Sequence, residues 1–413
     1  MKSSFLFVLI CLACFHCIYS YNKSKSRRKL TESPEEVYQQ LKESQASINN
    51  STEAFCFHGP SGTKNSFIKN EYSKYVKNHN VLVYPFCLMV RELGNRLGNY
   101  FHEVACAEAS GLHFITVHPQ WDITGAVTSN STKVASESSR LAFLQGLPDI
   151  IVHPHAVDKI TARNKLNHEC KCNRYCWQHL HAPWVNRTSS IRQYMKNALQ
   201  AYYNVILPQN PTTSIDPDVD ITNAKETSSL PLIPDVAIQY RCGDNIAFSY
   251  LYGILPFTAF DQILANYTKD NQIRYLYVLS DHPSRASHSP YTSRCKLILE
   301  KLLEYLSEKL PPTTTIVIKR GGDLFLDMIR LSRAKVMICS ASTYCFWPAL
   351  ATDGQAYFPV TSLIAGADTI ELAPDFGPRF HWINDPKIIS NFKGIRPWTG
   401  IIDILMGKKA PPS

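Results

Sequence analysis

The second half of the chain alternates short apolar runs with amphipathic stretches at helical spacing. A short apolar run bounded by turn residues indicates a buried strand, and apolar residues three or four positions apart indicate a helix with one buried face. Strands that alternate with helices pair in parallel through right-handed crossovers, so the pattern predicts a Rossmann-like α/β sheet. The predicted strands are 236–240, 275–279, 315–319, 336–339 and 356–358, and the predicted helices are 257–267, 292–309, 323–332 and 342–351.

An earlier stretch of the chain has the same kind of pattern with fewer elements. Its predicted strands are 81–84 and 113–117, and its predicted helices are 97–110 and 190–203. The segment 207–234 is rich in Pro, Thr, Ser and Asp, which is typical of a connector. We therefore expect two Rossmann-like domains, an N-terminal one with its linker over 80–230 and a C-terminal one with the tail over 231–413.

The N-terminus carries a targeting signal. An apolar run of about fifteen residues, 5–19, follows Lys2 and is shorter than the roughly 20 residues that a helix needs to span a bilayer. Residues 1–20 are therefore predicted to be a cleaved signal peptide or a short type II signal anchor, and the polar segment 21–79 a stem. Asn-x-Ser/Thr sequons also indicate a protein that is secreted or lies in the Golgi or ER lumen. They occur at Asn22, Asn49, Asn50, Asn130, Asn186 and Asn266.

The cysteine count agrees with an oxidising compartment. Of 13 cysteines, three lie in the apolar run and ten in the body, an even number that favours disulfides. The dense segment 168–181 also contains histidines, so a zinc site is an alternative there, although its spacing matches no standard finger. Cys106, Cys242 and Cys339 fall inside apolar stretches and are expected to be buried thiols.

The charge distribution excludes one class of partner. The formal net charge is +9, but six basic residues precede position 30, where there are no acidic residues, so the body is nearly neutral. Nucleic acid binding needs basic residues massed on one face, and we expect no nucleic acid partner.

Polar residues follow the predicted strands at the points where ligands of such sheets bind. After the first strand, Arg241 offers a planar fork of donors to diphosphate oxygens, and Asp244 can orient that fork. The alternative is a structural Arg-Asp pair at a strand end.

After the fourth strand, Ser340, Ser342 and Thr343 open the next helix. Unpaired amides at a helix N-terminus attract anions, although an ordinary N-cap would have the same sequence. Two other segments are weaker signals. Leu93 to Asn99 contains two glycines, which would let the backbone approach a ligand closely. Asp216-Pro-Asp218-Val-Asp220 contains Asp-x-Asp triplets, candidate ligands of a divalent cation, but they lie in the connector rather than at a strand end.

Together these segments resemble the fucosyltransferase superfamily, which includes α1,2-, α1,6- and O-fucosyltransferases. Residues 239–244 resemble its His-x-Arg-Arg-x-Asp motif, and Val278-Leu-Ser-Asp281-His-Pro-Ser284 is similar to its second motif. Residues 326–343 resemble the third motif, and Gly94-Asn95-Arg96 resembles the N-terminal Gly-Asn-Gln/Arg motif. Order and approximate spacing are kept over residues 90–360.

The resemblance implies an inverting, metal-independent glycosyltransferase of GT-B fold that needs no cofactor. The C-terminal domain would hold GDP-fucose and the N-terminal domain would meet the acceptor, a glycan or glycoprotein. Arg241 and Asp244 are the catalytic positions carried over. The substrate-binding positions carried over are Gly94, Asn95, Arg96, Gln239, Asp281, Asp327, Ser340, Ser342 and Thr343.

The resemblance also implies individual roles. Arg241 would bind the diphosphate, Ser342 and Thr343 the phosphate, Asp327 the guanosine and Asn95 the sugar. Asp281 would shape the nucleotide pocket.

Two departures from the family pattern stand out. Gln239 replaces the family's His and Cys242 its second Arg, which removes one positive charge near the leaving group. An inverting transfer also needs a base for the acceptor hydroxyl, and the sequence leaves four candidates open: His102, Glu103, Asp122 and Asp244.

We therefore expect a secretory-pathway fucosyltransferase whose linkage and oligomeric state the sequence leaves open. The same fold with another nucleotide sugar, and a catalytically inactive glycan-binding protein, are the alternatives.

Overall fold

The computed structural model describes fourteen stretches of the chain, which the contacts between residues divide into two compact units. The first unit comprises Met1–Thr128 and Pro148–Arg187, and the second Ser129–Leu147 and Thr188–Ser413. The described residues are 33–49, 81–85, 93–117, 137–154, 161, 164–165, 182–206, 219–222, 230–242, 254–280, 291–321, 323–361, 370–384 and 399–409.

The first unit contains a small sheet in the strand order β1-β2-β3, in which β1 and β2 are parallel and β3 is antiparallel to β2. Its elements are α1 (Pro34–Asn49), β1 (Val81–Pro85), α2 (Leu93–Ser110), β2 (His113–Val117), β3 (Ile150–Ile151) and a 3₁₀ helix at Pro183–Arg187.

Helix α1 belongs to this unit although it lies in the segment predicted to be a stem. Ser33 and Glu36 form a capping box, since the Glu36 amide donates to the Ser33 hydroxyl and the Ser33 amide donates to the Glu36 carboxylate. Val37 and Leu41 are buried in a cluster with residues of the three strands, and the Gln45 amide donates to a β2 carbonyl at 2.7 Å. The segment thus contributes to a hydrophobic core.

The second unit is a larger α/β unit. Its helices are α3 (Glu137–Gln145), α4 (Thr188–Ile206), α5 (Ala259–Thr268), α6 (Tyr291–Lys309), α7 (Leu324–Arg333), α8 (Thr343–Ala351) and α9 (Thr399–Leu405), with a 3₁₀ turn at Ile370–Leu372. Its strands are β4 (Val219–Thr222), β5 (Val236–Gln239), β6 (Tyr275–Ser280), β7 (Thr315–Arg320), β8 (Val336–Cys339), β9 (Gln355–Pro359) and β10 (Phe380–Ile383).

These strands form one sheet in the order β10-β9-β8-β5-β6-β7-β4. The run from β5 to β10 is parallel, and β4 pairs antiparallel with β7 at the edge. Counted along the chain, the six parallel strands follow the order 3-2-1-4-5-6, that of doubly wound dinucleotide-binding sheets. This confirms the predicted Rossmann-like α/β sheet.

The core of this sheet follows from the two-residue period of its strands. Val236 and Ile238 of β5 join a large apolar cluster with side chains of α5, α6 and α9. Ala237 between them is also buried, and α7 packs against β5, α8 and α4. Because both faces of the strands are covered, their sequences read as continuous apolar runs rather than as alternating ones.

Several elements differ from the predictions. The five predicted strands are present, but β10 was not predicted, and neither was β4, which includes Asp220 of the expected connector. The helix predicted at 190–203 is α4, which belongs to the second compact unit rather than to the first. The helix predicted from residue 97 begins at Leu93, so the Gly-Asn-Arg segment is helical.

The expectation of buried thiols was wrong. Cys242 is bonded to Cys295 and Cys339 to Cys345, with Cα atoms 5.3 and 5.8 Å apart. Cys106 is also disulfide-bonded. As expected, these cysteines are buried in apolar surroundings. The sequence pattern did not reveal that the fold brings a second cysteine within bonding distance of each of them.

Candidate functional site

The candidate site lies where β5 and β8 end side by side. These strands are neighbours in the sheet, but the chain leaves β5 toward β6 on one side and leaves β8 toward β9 on the other. At such a switch point the two following loops diverge and leave a crevice at the carboxyl ends of the strands. Gln239 and Cys339 are the paired last residues of the two strands.

Ser340 ties the two strand ends together. Its hydroxyl donates to the Gln239 side-chain carbonyl at 2.7 Å and accepts from the Arg241 amide at 2.9 Å, while its own amide donates to the Gln239 backbone at 2.8 Å. Gln239 and Ser340 are both buried, so these bonds are shielded from water. The backbone of Arg241 is therefore held at the crevice, with its side chain half-buried.

Ser342 places an unused hydroxyl at the start of α8. It is the N-cap residue with extended backbone (φ −151°, ψ 124°), yet its side chain makes no capping hydrogen bond. Its Oγ is buried and has no hydrogen-bond partner among the described residues. A buried polar group without a partner costs about 1–3 kcal/mol, and a ligand at the helix N-terminus would supply one. Thr343 is buried beside it as the first residue of the helix.

Two disulfides brace the loops of this crevice. Cys339–Cys345 closes the turn that contains Ser340 and Ser342, and Cys242, directly after Arg241, is bonded to Cys295 of α6. A cross-link close to a loop limits the conformations that it adopts before a ligand binds. The site is preorganised on both sides.

Asp327 lies on the inward face of α7 and is buried. Its carboxylate accepts from the Arg330 guanidinium at 2.8 Å, and both side chains are buried. Lys335, which follows this helix, pairs with Asp235 at 3.1 Å. Arg330 thus already supplies a donor that a buried acid requires.

In the first unit, the Gly94-Asn95-Arg96 segment forms the first turn of α2. The Asn95 side-chain oxygen is buried and has no hydrogen-bond partner within the described part of the chain. Two turns further on, burial raises the pKa of Glu103 to about 7, well above its ordinary value. The neighbouring His102 is buried with its Nε2 3.5 Å from the Cys106 sulfur.

The remaining predicted site residues, Asp244, Asp281 and the candidate base Asp122, lie outside the described residues. The same holds for residues 1–32, with the predicted signal, and for the cysteine-rich segment 168–181. Among the residues that the structure describes, no three His, Cys, Asp or Glu side chains are grouped to hold a metal ion.

Sequence reasoning missed the bridging role of Ser340 and the bracing role of the disulfides. Both depend on which strands are neighbours, which a single sequence does not reveal. Two features of the sequence pointed to these roles. They are the hydroxyl of Ser340 directly after a buried strand and the close spacing of Cys339 and Cys345.

A comparison with models of known protein families and with curated proteins gave no match. Within the described part of the chain, no helix combines the length and apolar character needed to cross a membrane.

Proposed function

We propose that the protein is an inverting glycosyltransferase of GT-B fold that transfers fucose from GDP-fucose to a glycan or glycoprotein acceptor in the secretory pathway. The observation that carries the proposal is the switch point between β5 and β8, where Ser340 holds the backbone of Arg241 and Ser342 is the N-cap residue of α8. Sheets with this strand order bind nucleotides at that point. The resemblance of residues 239–244 and 326–343 to fucosyltransferase motifs supports GDP-fucose as the nucleotide sugar.

The chemistry of the site fits a nucleoside diphosphate leaving group. The Arg241 fork donates two parallel hydrogen bonds to diphosphate oxygens and offsets the charge that grows on GDP as the glycosidic bond breaks. The Ser342 hydroxyl and the first amides of α8 bind a second anionic oxygen. With these donors in place the transfer requires no metal ion and no cofactor.

Of the four candidate acceptor bases, the structure describes His102 and Glu103, both in the first unit. Inversion requires removal of a proton from the acceptor hydroxyl, and a base works best when its pKa lies near the operating pH. Burial brings the pKa of Glu103 to about 7. His102 is a weaker candidate because its ring contacts the disulfide-bonded Cys106.

One observation favours a second candidate, a transferase of the same fold that uses another nucleotide sugar. Cys242, at the position of the second family arginine, is bonded to Cys295 and brings no charge to the leaving group. This departure from the family pattern would suit a donor whose base or sugar differs from that of GDP-fucose.

Thermal denaturation of the purified chain with a panel of nucleotides tests both candidates. A ligand that binds only the folded state raises Tm in proportion to the logarithm of its concentration over Kd. We expect GDP and GDP-fucose to raise Tm, and UDP-sugars to leave it unchanged. A shift with GDP-mannose alone or with UDP-sugars alone would favour the second candidate, and no shift with any nucleotide would contradict both.

A further inference from the structure

Arg320 is a buried cation for which the described residues supply no counter-ion. It is the last residue of β7 and is only 9% exposed. Its Nε is buried without a hydrogen bond, and no ion pair involves Arg320 within the described stretches. Two other buried cations of this unit are compensated, since Arg330 pairs with Asp327 and the Lys319 ammonium lies 5.4 Å from the centre of the Tyr277 ring.

Its neighbours place Arg320 at the carboxyl edge of the sheet. It is paired in register with Ser280, the last residue of β6. The amide of Gly321, which follows with a φ of 91°, donates to the Ser280 carbonyl at 3.2 Å. A non-glycine residue rarely adopts such a φ, and the chain bends at Gly321, directly after Arg320.

The side of the sheet follows from the two-residue period of β7. Ile316 and Ile318 belong to the apolar cluster that contains the side chains of α6, so Arg320 lies on that same side. Cys242 lies on this side as well and bonds to Cys295 near the N-terminus of α6. The positive end of the α6 dipole therefore lies at the same edge of the sheet as Arg320.

A guanidinium in this position is costly for folding. A buried charge without a counter-ion destabilises the folded chain, and apolar residues of similar volume are better tolerated. An ion pair compensates Arg330 and a cation–π contact compensates Lys319, and the described residues offer Arg320 neither. An anion bound from solution would compensate this charge.

We propose that Arg320 is the main residue of a second anion-binding site, at the carboxyl end of β7, which takes the oxyanion group of a ligand. Two strand spacings separate β7 from β5, so this site lies about 10 Å from the loop of Arg241. The planar fork of Arg320 suits a bidentate phosphate or carboxylate group. The site stands on the geometry of β6 and β7 and does not require the proposed transferase activity.

Thermal denaturation in an Arg241→Ala background tests the site, because that change removes the main anion ligand of the β5 crevice. Tm is measured against inorganic phosphate and, separately, against glucuronate, at constant ionic strength. The Arg241→Ala chain should gain Tm with at least one of these anions, which also tells a phosphate ligand from a sugar carboxylate. Adding Arg320→Met should abolish that gain and leave the anion-free Tm unchanged or higher.

A matched control is Arg274→Met, which removes a largely exposed arginine at the opposite end of the sheet, before β6. It should keep the full response to the anion. Arg320→Gln serves as a second variant with a neutral polar side chain and should behave like Arg320→Met.

Three results would overturn the proposal. The first is a Tm of the Arg241→Ala chain that neither anion changes, and the second is an anion-induced gain in Tm that Arg320→Met does not reduce. The third is a lower anion-free Tm in both Arg320 variants, which would show that this arginine has a structural role. Failure of the GDP experiment with the unaltered chain, in contrast, would contradict the transferase and leave this result standing.

Discussion

At the scale of single residues, Arg241 carries most of the proposed chemistry. Its amide is held by Ser340 and its side chain is half-buried, so its removal should leave the fold intact. We expect Arg241→Ala to lower kcat/KM for fucose transfer by well over tenfold, since charge on the leaving GDP is then uncompensated. Arg241→Lys should recover only part of the activity because the fork is lost.

Steady-state kinetics with GDP-fucose measure this effect, and circular dichroism checks the fold. Retention by Arg241→Ala of more than about a tenth of kcat/KM, a loss under roughly 1.4 kcal/mol, would mean that Arg241 does not bind the diphosphate.

A second prediction for single residues concerns the contribution of the buried pair of Asp327 and Arg330 to the free energy of unfolding. Asp327→Ala leaves the Arg330 guanidinium buried without this counter-ion and should lower the free energy of unfolding by about 3–5 kcal/mol. The double change Asp327→Leu with Arg330→Met should recover most of that loss. Urea denaturation measures both.

An exposed acid provides the control for this pair. Asp353 pairs with Lys196 and Arg379 at the surface, and Asp353→Ala should change the free energy of unfolding by under about 1 kcal/mol. Equal effects of Asp327→Ala and Asp353→Ala would show that the buried pair contributes no more than a surface one.

At the scale of elements, Asp235 connects three of them at the amino end of the sheet. It precedes β5 and accepts from the amides of Arg274 and Tyr275 and from the Lys335 ammonium. Burial alone would raise the pKa of this carboxyl, but the hydrogen bonds of Lys335 and of the two amides outweigh burial and hold the pKa below its ordinary value.

Stability should therefore depend on pH through Asp235. A carboxyl whose pKa is lower in the folded state stabilises fully above its ordinary pKa of about 4, and this contribution disappears as the pH falls through the folded-state value. We expect Asp235→Asn to cost about 1–3 kcal/mol at pH 7 and progressively less below pH 4. Urea denaturation from pH 7 to pH 3 measures the difference, and a cost independent of pH would contradict the assignment.

The strands and helices also show how much of the fold could be predicted from the sequence. The buried parallel strands β5 to β9 were predictable because a continuous apolar run of four to six residues between polar turns is typical of a strand covered on both faces. Strand β10 was not, since only Phe380 of its four residues is buried, and its place at the sheet edge depends on pairing with β9. The N-terminal extent of α2 was missed because Gly94 and Gly98 lower the helix propensity of a stretch that packing nevertheless makes helical.

In the candidate site, too, some features could be predicted from the sequence and others could not. Arg241, Ser340 and Ser342 were predictable as polar residues that follow buried strands. The hydrogen bonds through Ser340 and the burial of Arg320 at the end of β7 were not, because both depend on strand neighbours that are distant in sequence.

At the scale of the whole molecule, the proposed mechanism predicts that transfer survives chelation of metals. Arg241 and the N-terminus of α8 supply positive charge at the β5 and β8 ends, whereas Asp220 of the Asp-x-Asp triplets lies in the edge strand β4, beyond β6 and β7. Activity with GDP-fucose should be unchanged by EDTA. Complete loss with EDTA and recovery with Mn²⁺ would overturn the metal-independent mechanism.

The central claim is that a guanosine diphosphate binds where β5 and β8 end. Hydrogen–deuterium exchange of the intact chain with and without saturating GDP tests it most directly, because a bound ligand slows the exchange of amides it contacts or orders. GDP should protect peptides that cover residues 239–242 and 340–346 and leave those of α1 unchanged. Unaltered exchange in both loops, or protection confined to other segments, would contradict the account.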